Sequence, residues 1–159
     1  TNAIQALDLF GRKIRMSKGV AYAVLIENMK AAVEEAKRMA DLVPYAVEVE
    51  KSITALEYLT TELLTPSEGS DLFLAYSWAS SYLEIIGDII MGWMLLWQAC
   101  IASGKIGNGH NDEPFYASKV LTAKFYISSL LPNVYGKILA IRNNDRSLLQ
   151  MTDALIAQL

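Results

Sequence analysis

Glu84 and Asp88 stand four residues apart. On a helix they share one face, and a carboxylate pair so placed supplies half of a di-metal centre. The other half needs a Glu-x-x-His pair on each of two helices. This sequence has one histidine, His110, in the polar run 107–112. The di-metal reading therefore fails, and no metal site is expected. Without partners at ligand spacing, His110 reads as a solvated loop residue. The two carboxylates then need water or a cation, and Lys119 or Lys124 could serve. An ion pair between packed helices would set their register more than it would add stability.

The other chemistry-bearing residues are equally bare of partners. The run Gly104-Lys105-Ile106-Gly107-Asn108-Gly109 is rich in glycine, but no strand precedes it, so it is no phosphate loop. Trp78, Trp93 and Trp97 with Tyr82 could stack on a ligand, but aromatic residues at helical spacing more often fill a core. Cys100 is the sole cysteine, cannot form an internal disulfide, and reads as a small inert apolar residue of a reducing compartment. Arg12, Lys13, Arg15 and Lys18 form the one basic cluster. It could meet a phosphate, for instance of a nucleotide cofactor, or be a solvated turn.

The elements that must position these residues all read as helix. Of the 159 residues, 53% are hydrophobic and 19% charged, and the mean hydropathy is +0.25. That excess over an ordinary soluble domain implies apolar surface covered by a partner or another domain. The net charge of -3 offers no basic field for nucleic acid. No basic-then-apolar leader opens the sequence. Between residues 89 and 104 no charge occurs, but this run falls short of the roughly 20 residues that span a bilayer. A buried central helix is expected there, with no membrane span.

Helical periodicity places a first helix over residues 2–10, stopped by Gly11. A second begins near Ser17 as N-cap, with Tyr22, Leu25, Ile26, Met29, Val33, Ala36, Ala40 and Val43 on its inner face. Pro44 opens a third, carrying Ala46, Val49, Ile53, Leu56 and Leu63 inward. A long fourth covers residues 71–103 behind Ser70 as N-cap, and its apolar second half should be surrounded. A fifth runs over residues 113–141, bent at Pro132, with Tyr116, Val120, Ala123, Ile127, Leu130 and Val134 inward. A sixth starts near residue 144 and carries Leu148, Leu149, Met151 and Leu155. The fold class is all-α: an antiparallel bundle of about five to six helices around a long apolar one.

Three segments resemble a known family. Residues 115–126 read Phe-Tyr-Ala-Ser-Lys-Val-Leu-Thr-Ala-Lys-Phe-Tyr and continue to Leu130-Leu131-Pro132. They resemble the C-terminal helical domain that some acyl-CoA dehydrogenases append to their catalytic core. Gly92-Trp93-Met94-Leu95-Leu96-Trp97-Gln98-Ala99 resembles that domain's central helix. Residues 1–13, Thr-Asn-Ala-Ile-Gln-Ala-Leu-Asp-Leu-Phe-Gly-Arg-Lys, resemble the stretch after the catalytic glutamate, where the family pattern is Tyr-Glu-Gly-Thr, two residues, then Ile-Gln.

The resemblance implies a parent enzyme that uses FAD to remove hydrogens from the α and β carbons of an acyl-CoA thioester. The glutamate takes the α proton, the flavin the β hydride, and an electron-transfer flavoprotein the electrons. It implies that 1–15 ends the catalytic core and that 16–159 is the appended domain, structural or oligomerising, in a cytoplasmic protein. Thr1 matches the threonine that lies against the flavin. Position 3, often polar in shorter relatives, is Ala3. The catalytic glutamate would precede Thr1, so neither firm FAD binding nor turnover is expected of this chain by itself. A free-standing helical interaction module is the alternative. A peripheral membrane protein would want a basic helix face, and the second helix is mixed in charge.

Overall fold

A computed structural model describes residues 1–65, 68–107 and 111–151, and His110 and Leu155 lie outside them. Among the described residues there are seven α-helices and no strand: α1 (Asn2–Asp8), α2 (Val20–Ala36), α3 (Val43–Leu64), α4 (Gly69–Ser77), α5 (Ala79–Ser103), α6 (Glu113–Phe125) and α7 (Asn133–Arg142). The all-α bundle read from periodicity is the fold.

The inner faces of α2 and α3 follow the apolar spacing. Ile26, Met29, Val33 and Ala36 of α2 are buried, as are Ala46, Val49, Ile53, Leu56 and Leu63 of α3. Burying each large aliphatic side chain favours folding by about 1.5–3 kcal/mol. Ala40 and Val43 are exposed instead, because α2 ends at Ala36 and a 3-10 turn, Ala40–Leu42, reverses the chain. Pro44 occupies the first turn of α3, where its missing N–H costs nothing.

Five boundaries differ from the sequence reading. Gly11 does not stop the first helix, which continues as a π-helical turn, Leu9–Lys13. A Cβ there would lie 2.9 Å from the Tyr76 hydroxyl, so this glycine serves close packing rather than termination. Ser17 does not cap α2. Ser17 and Lys18 take left-handed backbone angles (φ 52° and 58°), and Gly19 stands at the N-cap. The helix expected over 71–103 is two helices that meet at Trp78. The Ser77 hydroxyl donates to the Leu74 carbonyl at 2.6 Å in the last turn of α4, just before the turn at Trp78. Ser70 lies inside α4 rather than capping it. After α7, Asn144 takes φ 50°, and the Asp145 carboxylate accepts from the Ser147 N–H and hydroxyl. That local turn leaves only a short 3-10 segment, Ser147–Gln150, in place of the expected helix start.

The bend near Pro132 is present. A π turn, Tyr126–Leu130, links α6 to α7, closed by the Leu131 N–H on the Tyr126 carbonyl at 2.9 Å. The wider turn moves the inward position to Leu131, which is fully buried, and leaves Leu130 exposed. Leu131 packs against Gly92 so closely that a Cβ there would sit 3.1 Å from its methyl carbon.

Helix α5 is the hub. It packs against α1, α2, α3, α6 and α7, and Tyr82, Ile85, Ile89, Leu96 and Ala99 are fully buried. By length and composition it is the one helix among the described residues that could cross a membrane; 44% of its most apolar window is buried against the bundle, and its first half carries Glu84 and Asp88. It is not surrounded as expected: Met91, Trp97 and Ile101 remain about half exposed on its outer side.

Candidate functional site

The Glu84–Asp88 pair is the centre of an ionic cluster between α5 and α7. Lys137 of α7 lies 2.9 Å from Asp88 Oδ2 and 3.1 Å from Glu84 Oε2. Beside it the Tyr126 hydroxyl donates to the Asp88 carbonyl at 3.1 Å. The hydrogen bond to Asp88, then that to Glu84, raises the Lys137 pKa, so the ammonium stays charged. The lysines favoured by sequence sit elsewhere: Lys119 over the Phe115 ring at 5.3 Å, Lys124 over Tyr45 at 5.5 Å. A charged lysine between two carboxylates is a clamp that ties α7 to α5. Among the described residues no three metal-ligating side chains converge.

A second cluster is buried, and sequence reasoning missed it. Tyr22 of α2, Thr60 of α3 and Tyr82 of α5 meet at their hydroxyls. Thr60 Oγ1 donates to the Leu56 carbonyl at 2.7 Å, which uses its one proton. Its lone pairs therefore accept from the Tyr82 hydroxyl at 2.8 Å and the Tyr22 hydroxyl at 2.9 Å. Burial raises both phenol pKa values, that of Tyr82 strongly, so both donors keep their protons. The signal was a threonine inside the inward stripe of α3, between Leu56 and Leu63.

The remaining candidates are separated. Asp8 accepts from Arg12 at 2.6 Å and lies 3.5 Å from Lys13, which offsets one of the cluster's four positive charges. The Arg12 hydrogen bond holds the Asp8 carboxyl below its usual range. Arg15 donates to the Leu64 carbonyl at 3.2 Å. Thr1 is exposed at the N-cap of α1, its side chain makes no capping bond, and Ala3 offers no polar atom. The tryptophans do not form one box: Trp97 is exposed, Trp78 is half-buried, and the buried Trp93 indole N–H has no acceptor among the described residues. Cys100 is buried, and desolvation pushes its thiol up to about 11, so it is unreactive.

No catalytic constellation emerges among the described residues, and relatives decide the reading. Residues 25–152 match the family described as acetyl-CoA dehydrogenase C-terminal like. The chain belongs to that family. The match begins inside α2 and takes in both polar clusters except Tyr22, while α1 and the basic residues precede it. Similarity to whole enzymes extends further. A broad-specificity linear acyl-CoA dehydrogenase of Mycobacterium tuberculosis is 27% identical over 97% of this chain and 26% of its own length. Two butyryl-CoA dehydrogenases of Syntrophomonas wolfei are 29% and 26% identical over 96% and 92% of this chain. The chain spans about a quarter of the length of these curated relatives. Two of the three resembling segments, residues 92–99 and 115–132, lie inside the family match, and residues 1–13 precede it.

Proposed function

We propose that this chain is the C-terminal helical part of an FAD-dependent acyl-CoA dehydrogenase, a structural and oligomerising domain without the catalytic glutamate. The observation that carries the reading is the alignment of nearly the whole chain to about a quarter of three acyl-CoA dehydrogenases, together with the family match over residues 25–152. In the parent enzyme the reaction is α,β-dehydrogenation of an acyl-CoA thioester, and the electrons pass to an electron-transfer flavoprotein.

We read residues 1–15 as the last helix of the catalytic core and 16–159 as the appended domain. Ala6, Phe10 and Ile14 lie in the same apolar cluster as the bundle, so that helix would couple the two mechanically. Thr1 would touch FAD only in the parent. The half-exposed apolar side of α5 is the surface we assign to the catalytic portion or a second subunit. The clusters in the bundle hold helices in register and do no chemistry.

The test is to purify the chain, record its visible absorbance, and assay acyl-CoA oxidation with an artificial electron acceptor. The expected result is no flavin band and no turnover. Flavin retained through gel filtration, with turnover, would overturn the proposal.

A further inference from the structure

Helix α4 is held very differently at its two ends. At its C-terminal end Leu74 and Ala75 are buried, and the Tyr76 ring meets Phe10 edge-on at 5.2 Å. The chain then turns at Trp78. At its N-terminal end Gly69 takes φ 70°, a left-handed angle that a glycine adopts freely. Ser70, Asp71 and Phe73 there are exposed. What holds that end is Arg146, from the turn after α7: its guanidinium lies 2.8 Å from Asp71 Oδ1 and donates to the Ser70 hydroxyl at 3.2 Å. Both partners of the ion pair are about half exposed or more.

Behind α4 lies a cleft of about 430 Å³. Leu59, Leu63 and Ile141 form its floor, Leu74 and Ala75 of α4 with Trp78 at the joint to α5 form one wall, and charged residues, among them Asp71, Arg146 and the Glu62–Arg142 ion pair, form its rim. A cleft of this size between helices is large enough for a small molecule. We propose that α4 is a lid on this cleft, pivoting at Trp78 and latched at its N-terminal end by Arg146. An exposed ion pair is a weak latch that salt loosens, so the lid opens without unfolding the bundle.

Amide hydrogen exchange over Gly69–Ser77 tests this directly. Arg146→Ala should speed exchange there about two- to five-fold, the factor an exposed ion pair is worth, and leave Ala79–Ser103 unchanged. D71R should do the same, and D71R with R146D should restore protection. A chain carrying Trp93→Phe and Trp97→Phe keeps Trp78 as its reporter, and acrylamide should quench it more strongly once Arg146 is replaced. If α4 exchanges as slowly as α5 and ignores both single substitutions, α4 is a fixed wall and the proposal fails. Loss of protection in α5 together with α4 would equally overturn it.

Discussion

Two polar clusters share α5 and solve the same problem in opposite ways. Tyr82 enters the dry interior and meets only hydroxyls, and every proton and lone pair on Thr60 has an assigned partner. Glu84 and Asp88, less than two turns further along, sit at the rim and meet an ammonium. The neutral cluster is deep because uncharged hydroxyls lose little on leaving water once they are paired. The ionic cluster is shallow because taking three charges out of water would cost more than their attraction returns. Depth, rather than number of contacts, sets what each is worth.

The strongest way to break the comparison is to remove the acceptor at Thr60. Thr60→Val removes the acceptor that the fully buried Tyr82 hydroxyl shares with Tyr22, leaving the two phenols only each other, and should destabilise the chain by about 1–3 kcal/mol. Thr60→Ser keeps the oxygen and should cost about 1 kcal/mol or less. Urea unfolding midpoints read both, and equal losses for Val and Ser would show that the hydroxyl pairing contributes nothing.

Next in size is alkaline pH. The phenols of Tyr82, Tyr22 and Tyr135, the Cys100 thiol and the Lys137 ammonium all have folded-state pKa values above their ordinary ones, burial being the first cause for the phenols and the thiol. A raised pKa contributes stability below the unfolded value and loses it as pH climbs. The unfolded chain releases these protons first, so stability should hold to near the ordinary thiol value of 9.0 and fall steeply past the phenol value of 10.0. Tyr82→Phe removes one titrating group and should make that fall shallower by up to about 1.4 kcal/mol per pH unit. Unfolding series from about pH 8 to about pH 11 measure both slopes, and an unchanged slope in the variant would place the alkaline loss elsewhere.

The contrast also explains what the sequence made legible. The stripes of α2 and α3 could be read because apolar periodicity and burial are the same signal, and the family could be read because three segments carry it. Thr60 was invisible because a threonine inside an apolar stripe looks like a tolerated core residue, and its partners lie 22 and 38 positions away. The break at Trp78 was missed because no proline or glycine marks it. The outward side of α5 escaped because composition reports how apolar a helix is, and says nothing about how many neighbours reach it.

The ionic cluster gives the smallest effect and the sharpest control. Lys119 and Lys124 lie in the first half of the helix expected over 113–141, but Lys137 takes the place, because its second half, α7, brings a lysine to these carboxylates. Lys137→Met keeps the apolar stem and removes the charge. It should cost about 0.5–1 kcal/mol at low salt, since all three groups are at least a third exposed and screened. The loss should shrink as ionic strength rises, whereas that of Thr60→Val should not. Double-mutant cycles complete the test: Lys137 with Asp88→Asn should couple, and Lys119 or Lys124 with the same change should not. Coupling to Lys124 instead would mean that α6 carries the partner, and the pairing of α5 with α7 would have to be redrawn.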